Sequence, residues 1–323
     1  MTAMAATARS GMASTVERHE EALEVLRGLQ AEPRRVSPRY FYDDRGSRLF
    51  EEICRQPEYY LTRTETLILK RNAEAIGAEA GVDTLIIEPG SGSAEKTGIL
   101  LSALKRPAGY VPIEICREQL QESRNRLRST YPGLPVQPVC ADFTRPVSLP
   151  PMPPHQRRLI FFPGSTIGNF DVEEAVALLS GFRKLLGSDG LLLIGVDLVK
   201  SRERLERAYD DAAGVTARFN LNLLDHLNSR FGADFDRRQF QHAAAWCAEQ
   251  GRIEMQLWVR RSHVVRFCNH ELRFVAGEKL VTEWSHKYTV KGFAGLAARA
   301  GFRQTCVWTD PGSWFSVQCL SPL

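Results

Sequence analysis

The residues with most chemical content in this chain of 323 stand at the ends of apolar, β-prone runs. The first run, Thr84 to Ile87, leads into Glu88-Pro89-Gly90-Ser91-Gly92-Ser93 and then a helix, a place where glycines let the backbone approach a ligand. Any turn between strand and helix can carry glycine, so this loop alone fixes no ligand. The next run ends in Glu114, where Rossmann-type folds set an acid on ribose hydroxyls. The third ends in Asp142-Phe143, a carboxylate able to accept from an adenine amino group beside a ring able to stack on it. An aspartate capping a loop is the plain alternative there. Taken together, the acids point to an adenosine-bearing cofactor.

Competing chemistries fit less well. A dinucleotide suits the same geometry but prefers G-x-G-x-x-G, and the residue three after Gly92 is Glu95. Lys96-Thr97 follow Gly90 at P-loop spacing, yet Glu95 holds the position that needs glycine, and a carboxylate there repels phosphates. The fourth run delivers Phe161-Phe162-Pro163-Gly164-Ser165-Thr166-Ile167-Gly168-Asn169. Its Gly164 and Gly168 have the spacing of a hydrolase nucleophile elbow, but Thr166 stands at the nucleophile's place, which leaves a hydrolase as the runner-up enzyme class. Two later polar clusters, Ala208-Tyr209-Asp210-Asp211 and Thr282-Glu283-Trp284-Ser285-His286, read equally well as solvated faces or caps.

These residues need a scaffold, and the pattern supplies one. A helix is expected over Thr15 to Gln30, then an aromatic-rich stretch from Pro38 to Thr64 with Tyr40, Phe41, Tyr42, Phe50, Tyr59 and Tyr60, suited to packing or to a pocket wall. From Thr84 strands and helices alternate: strands at Thr84–Ile87, Tyr110–Ile115, near Val136–Cys140, Arg158–Phe162 and Leu191–Val196, helices at Glu95–Leu104, Glu118–Thr130 and Val172–Leu186. That alternation predicts a parallel, doubly wound sheet with ligands beyond the carboxyl ends of its strands. It stops after Leu198. Residues 200–230 read as helices and Arg252–Arg260 and Val264–Phe274 as strands, before a helix at Phe293–Ala300 and strands at Gln304–Trp308 and Trp314–Leu320 around the turn Asp310-Pro311-Gly312. An insertion therefore sits between the fifth strand and the last crossover.

Bulk properties exclude other classes. The 42 basic and 38 acidic residues are interspersed, which argues against a nucleic-acid partner. No apolar run approaches the roughly 18 residues of a membrane span. The seven cysteines, Cys54, Cys116, Cys140, Cys247, Cys268, Cys306 and Cys319, show no paired or zinc-like spacing, so reduced thiols and a cytoplasmic protein without metal are expected. The first 16 residues lack acids and an apolar core segment and read as a floppy tail, with a transit peptide as the other reading.

In order along the chain, YFYDDRGSRLFEEI, PEYYLTRTE, GSGSAEKT, FPGSTIGN, DLVK, RAYDDAAGVTARFN, ADFD, IEM and TEWSHK resemble the S-adenosylmethionine-dependent L-histidine Nα-methyltransferases of ergothioneine biosynthesis, which form hercynine. The resemblance runs from about Tyr40 to Leu320. It implies an α/β fold: a Rossmann-like class I methyltransferase sheet with a second α+β substrate-binding domain closing over a histidine cleft. The implied domains are 1–64 and 200–288 for the substrate-binding part, and 65–199 with 289–323 for the methyltransferase part. Motif by motif, it implies that Gly90, Ser91, Lys96, Glu114, Asp142 and Phe143 bind the cofactor. It implies that Tyr59, Asn169, Tyr209, Glu283, Trp284 and Ser285 hold histidine, with Gly164, Thr216 and Met255 lining the site and Tyr42 and Asn169 acting at the amine. Glu114 replaces the aspartate usual in the family and keeps its charge, and Pro89 stands where leucine is common.

Methyl transfer asks mainly for placement, an amine lone pair in line with a sulfonium methyl at roughly 3 Å. Asn169 and Tyr209 suit the substrate carboxylate, and Glu283 and Ser285 the two imidazole nitrogens. The expected partners are L-histidine and its mono- and dimethyl intermediates, and the expected state is a monomer without nucleic acid or membrane. An Nα-methyltransferase for another amino acid such as tryptophan, and a non-catalytic amino-acid-binding relative, are the alternatives.

Overall fold

The computed structural model describes residues 15–92, 95–115 and 117–323. Most of the expected tail therefore lies outside the described residues, as do Ser93 and Ala94 of the glycine loop and Cys116. The chain opens with α1 (Thr15–Gln30), β1 (Arg34–Arg35), a 3-10 turn at Pro38–Phe41, α2 (Asp44–Cys54), α3 (Tyr60–Arg71) and α4 (Ala73–Ala80). The alternating part holds β2 (Thr84–Pro89), α5 (Glu95–Ala103), β3 (Gly109–Glu114), α6 (Arg117–Thr130), β4 (Val139–Cys140) and β5 (Arg157–Phe162), and continues with a 3-10 turn at Thr166–Asn169, α7 (Val172–Leu186) and β6 (Leu191–Asp197). Then come α8 (Arg202–Tyr209), α9 (Val215–Phe231), β7 (Phe240–Cys247), β8 (Arg252–Val259), β9 (His263–Phe267), β10 (His270–Phe274) and β11 (Lys279–His286). The chain finishes with α10 (Val290–Arg299), β12 (Phe302–Thr309) and β13 (Phe315–Pro322).

The main sheet has the order β12-β13-β6-β5-β2-β3-β4. Strands β2 to β6 are parallel, and β13 is antiparallel to both of its neighbours. Every residue of β6 is buried, as expected of a strand covered on both faces. One apolar core joins Ile87, Val111, Ile160, Phe162 and Ile194 to Leu179 and Phe182 of α7 and Phe293 of α10. Helix α7 is fixed in place by a capping box, Asp171 with Glu174, and ends at Gly187 with φ 74°. From β2 the chain moves outward through β3 and β4 and then returns to β5 on the other side of β2. This reversal is the switch point where doubly wound sheets bind ligands, and the loops after β2 and β5 are Gly90-Ser91-Gly92 and Pro163-Gly164-Ser165.

The chain divides into two compact units. The unit that carries the main sheet comprises residues 50–215, 244–254 and 284–323. The other comprises the described residues up to Leu49 together with 216–243 and 255–283. Its interior is aromatic: Phe41 stacks on Phe219 with centroids 4.4 Å apart, and Phe274 packs edge-on against Phe235 and Phe240. In this unit β1 runs parallel to β11, with Arg34 opposite Leu280. The second sheet has the order β1-β11-β8-β7.

The bounds differ from the expected 1–64 and 200–288. Helix α3 packs on β13, and its Tyr60 hydroxyl donates to Asp197 at the end of β6, so the stretch after Leu49 stays with the main sheet. The expected strand over Val264–Phe274 is instead the antiparallel hairpin β9–β10, turning at Cys268-Asn269 with Cys268 at φ 51°. The third strand of the alternation shrinks to β4 with an isolated bridge from Val136 to Tyr110, because Pro138 has no N–H to give a ladder. Among the described residues, no helix is long and apolar enough to cross a membrane.

Candidate active site

The penultimate residue of β2, Glu88, is buried and accepts from Thr97 Oγ1 at 2.5 Å and Tyr110 Oη at 2.6 Å. Burial pushes its carboxyl up to about 7 against these two hydrogen bonds, which favour the charged form. The chain then turns through Gly90 at φ 69° and Gly92 at φ 45°, values that side chains rarely adopt. A Cβ on Gly90 would lie 3.3 Å from the Phe143 ring, so the glycine and the ring after β4 face each other closely. The Gly92 amide donates a long bond of 3.4 Å to Glu114 Oε2, and the Ser91 hydroxyl is buried without a hydrogen-bond partner among the described residues. Gly90, Ser91, Glu114 and Phe143 are thus brought together at the carboxyl ends of β2, β3 and β4. Asp142 is there too, but its Oδ1 accepts from the Thr144 amide at 2.9 Å and its hydroxyl at 2.6 Å, which is the capping arrangement. A close-approach glycine, an orphan hydroxyl, a ring and an acid are the groups an adenosyl cofactor requires, and the residues present fit it.

Lys96 departs from the expected cluster. Its ammonium lies on the carboxylate of Glu65, a residue of α3 that is 1% exposed. Glu65 also accepts from the Gly164 amide, at 3.0 and 2.9 Å to its two oxygens. A Cβ at Gly195 would sit 1.9 Å from Glu65 Oε1, so glycine in the middle of β6 makes the space that this buried acid occupies. Gly164 itself has φ 83°, which aims the loop after β5 at the acid.

A second group forms around Tyr209. Its hydroxyl is 2.7 Å from Ser285 Oγ, and its ring meets the Tyr59 ring edge-on at 6.2 Å. Lys287 Nζ donates to Tyr209 Oη at 2.8 Å, to Ser285 Oγ at 2.7 Å, and pairs with Asp197 Oδ2 at 2.8 Å. Lys200 Nζ and the Tyr60 hydroxyl complete the shell of Asp197, at 2.6 Å and 2.8 Å, and the Asp197 amide donates to Ser165 Oγ at 2.9 Å. Burial lowers Lys200 to about 8, opposed by Asp197. Burial also works against the charge on Lys287, but its ion pair with Asp197 outweighs this and raises the group. Asn169 ends the 3-10 turn. The preceding Gly168 carbonyl accepts from the His286 ring nitrogen at 3.0 Å, and a Cβ there would meet the His286 carbonyl at 2.8 Å. Trp284 carries the Arg252 guanidinium 3.8 Å above its ring, and Arg252 pairs with Glu254 at 2.6 Å.

The remaining expected residues belong to the other compact unit. Tyr42 meets the Phe219 ring at 5.8 Å, and buried Thr216 stands one turn before Phe219 on α9. Met255 is buried, and its carbonyl accepts from Thr282 Oγ1 at 3.1 Å, beside the half-buried Glu283.

Glu65, Glu88, Asp197, Lys200 and Lys287 did not figure among the expected site residues. Their signal in the sequence is partial: Glu88, Asp197 and Lys200 are charged residues within or directly after an apolar run, and four of the five lie in PEYYLTRTE, DLVK or TEWSHK. Such residues are almost never buried unless paired.

Residues 21–322 match the family model described as histidine-specific methyltransferase, SAM-dependent. A histidine N-alpha-methyltransferase of Mycolicibacterium smegmatis is 42% identical over 299 residues, which cover 91% of this chain and 92% of that one. Its namesake in Mycobacterium tuberculosis is 38% identical over the same shares. Ergothioneine biosynthesis protein 1 of Neurospora crassa is 28% identical over 86% of this chain and 32% of its own length. The chain therefore belongs to the family of histidine-specific, S-adenosylmethionine-dependent methyltransferases.

Proposed function

We propose that this enzyme adds three methyl groups in succession to the α-amine of L-histidine, giving hercynine in ergothioneine biosynthesis, and that Gly90, Ser91, Lys96, Glu114, Asp142 and Phe143 hold the cofactor. When bound, S-adenosylmethionine supplies an electrophilic methyl on a sulfonium. The protein's share is alignment, since bringing the amine lone pair in line is worth several kcal/mol, about 7 to 11 in well-oriented systems. Tyr59, Asn169, Tyr209 and Ser285 grip histidine in this reading, with Gly164 and Trp284 beside them. The observation that carries this assignment is the coupled hydroxyl pair Tyr209–Ser285, 2.7 Å apart next to the Tyr59 ring.

Glu283 is the acceptor for an imidazole N–H, Met255 and Thr216 line the substrate, and Tyr42 and Asn169 act at the amine. The amine loses an N–H at each round, so contacts that need all of its protons would fail at the second methylation. An amide oxygen or phenol oxygen accepts from whichever N–H remains. We further propose that the enzyme is a cytoplasmic monomer that engages no nucleic acid, which the interspersed charges support.

The test is incubation with S-adenosylmethionine and each proteinogenic amino acid, with products weighed by mass spectrometry. Histidine is expected to gain three methylene equivalents. Exclusive modification of tryptophan, or histidine binding without turnover, would overturn the proposal.

A further inference from the structure

Resting on the proposed reading of the site, we infer that His286 is a positioning residue: its ring N–H holds the Gly168 carbonyl and thereby sets Asn169, on the turn after β5, at a fixed spacing from Ser285 on β11. Side chains alternate along a strand, so the register that turns Ser285 to Tyr209 turns His286 to the opposite face. There its Nδ1 lies 3.0 Å from the Gly168 carbonyl oxygen. A carbonyl only accepts, so the proton sits on Nδ1. The residue is 7% exposed, and the rings of Trp284 and Tyr288 stand beside its own with centroids 6.3 and 6.5 Å away, which restricts its rotamer.

The carbonyl it holds belongs to the peptide unit that leads into Asn169. Because that unit is planar, fixing the Gly168 oxygen fixes the Asn169 nitrogen and Cα in the same plane. The backbones also touch, since a Cβ at Gly168 would lie 2.8 Å from the His286 carbonyl oxygen and 3.1 Å from its nitrogen. Only glycine permits that approach. Toward the start of the turn, the Gly168 amide donates to the Ser165 carbonyl at 2.9 Å, and Ser165 Oγ accepts from the Asp197 amide at 2.9 Å. The turn is thus pinned to β6 at its start and to β11 at its end. In the proposed reading Asn169 and Ser285 both grip histidine, and each is the chain neighbour of one partner in the Gly168–His286 contact. Burial pushes the His286 ring toward its neutral form, against the bond to Gly168. Protonation adds a proton at Nε2 and leaves the Nδ1–H in place, so the contact itself does not titrate.

The experiment measures kcat, KM and the pH dependence of kcat/KM for L-histidine, with affinities for histidine and S-adenosylhomocysteine by calorimetry, in the parent enzyme, His286→Leu, His286→Asn and Gly168→Ala. Displacing an aligning group by about 1 Å costs on the order of a hundredfold in rate, so His286→Leu and Gly168→Ala are each expected to lower kcat/KM for histidine at least about tenfold. Affinity for S-adenosylhomocysteine should stay within about threefold of the parent, less than the loss of one hydrogen bond. The side-chain amide introduced by His286→Asn carries an N–H close to the place of Nδ1–H, so this variant should recover to within about threefold and keep the parent's pH profile. Thermal melts show which variants fold; if His286→Leu does not, Gly168→Ala and His286→Asn carry the test. A His286→Asn variant as impaired as a folded His286→Leu, a Gly168→Ala variant as active as the parent, or a pH profile altered in His286→Asn would overturn the inference. So would histidine and S-adenosylhomocysteine affinities that fall in parallel, which mark a structural role alone. A parent enzyme that leaves histidine unmethylated refutes the proposed function and the inference with it. A parent that methylates histidine alongside a His286→Leu variant of equal kcat/KM refutes the inference alone.

Discussion

Replacing Glu65 with alanine removes an acid that serves two segments at once. The carboxylate is 1% exposed, accepts from the Gly164 amide at 3.0 and 2.9 Å, and holds the ammonium of Lys96. A hydrogen bond to a charged group is worth about 1.5 to 3 kcal/mol, and breaking a fully buried pair costs about 3 to 5. The Lys96 side chain is 17% exposed and can turn toward water once its partner is gone, which places the loss near the lower bound of the buried range. The Gly164 amide then lacks its acceptor as well. Together these give about 3 kcal/mol for Glu65→Ala, against about 1 for Glu65→Gln, whose amide oxygen still accepts from Gly164 and Lys96. Urea unfolding followed by circular dichroism reads the difference as a shift in midpoint at constant slope. An alanine variant within about 0.5 kcal/mol of the parent, or a glutamine variant as damaged as the alanine one, refutes the argument.

Glu88 should give stability a distinctive pH dependence. Its folded pKa of about 7 exceeds the ordinary 4.5, so between those values the folded chain keeps a proton that the unfolded chain has lost, and stability falls by about 3 kcal/mol as pH rises through the window. Glu88→Gln should flatten that slope and be the more stable protein at pH above 7; a slope unchanged in the variant would contradict the assignment. Gly90→Ala forces a side chain to φ 69° with its Cβ 3.3 Å from the Phe143 ring, and about 1 to 2 kcal/mol of strain should appear as a lower melting temperature and weaker S-adenosylhomocysteine binding in calorimetry. No change in either measurement would mean that the loop is not the cofactor cradle. Glu283→Ala should weaken histidine by about 2 kcal/mol, roughly 30-fold, with cofactor affinity nearly unchanged. Equal loss of both ligands would contradict the division of roles.

The sheet was legible because parallel strands buried on both faces leave continuous apolar runs, and the polar residues at the ends of those runs stand out. Helix α7 runs over Val172–Leu186, the bounds its pattern predicts, because Asp171 and Gly187 mark its ends chemically. The strand read through Val264–Phe274 missed the hairpin because alternation continues across Cys268-Asn269, a turn with no glycine to announce it. The partner of Lys96 was illegible for another reason. Glu65 stands 31 residues earlier on a helix whose own pattern says only that one face is buried. Spacing within a loop reveals a turn; pairing across such a separation depends on the tertiary fold, which the sequence encodes only as a charged residue on an apolar face.

The same helix shows why the buried charges belong to positioning rather than to stability. Replacing a buried ion pair with apolar groups of similar volume is often neutral or stabilising, so the fold alone does not call for Asp197, Lys200, Lys287 or Glu65. What they share is placement. Tyr60 at the start of α3 binds Asp197 at the end of β6, and Glu65 farther along the same helix binds the Gly164 amide just after β5. Two anchors on one rigid helix fix both its axis and its rotation. Adjacent helical residues point about 100° apart, so with Tyr60 committed to Asp197 the preceding Tyr59, at the N-cap, is directed elsewhere, and its ring meets Tyr209. Asp197 reaches Tyr209 by a second route, through Lys287. One buried carboxylate thus reaches the Tyr60 hydroxyl of α3 directly and the Tyr209 hydroxyl of α8 through Lys287, and in the proposed reading this builds the alignment that methyl transfer asks for into the strand ends.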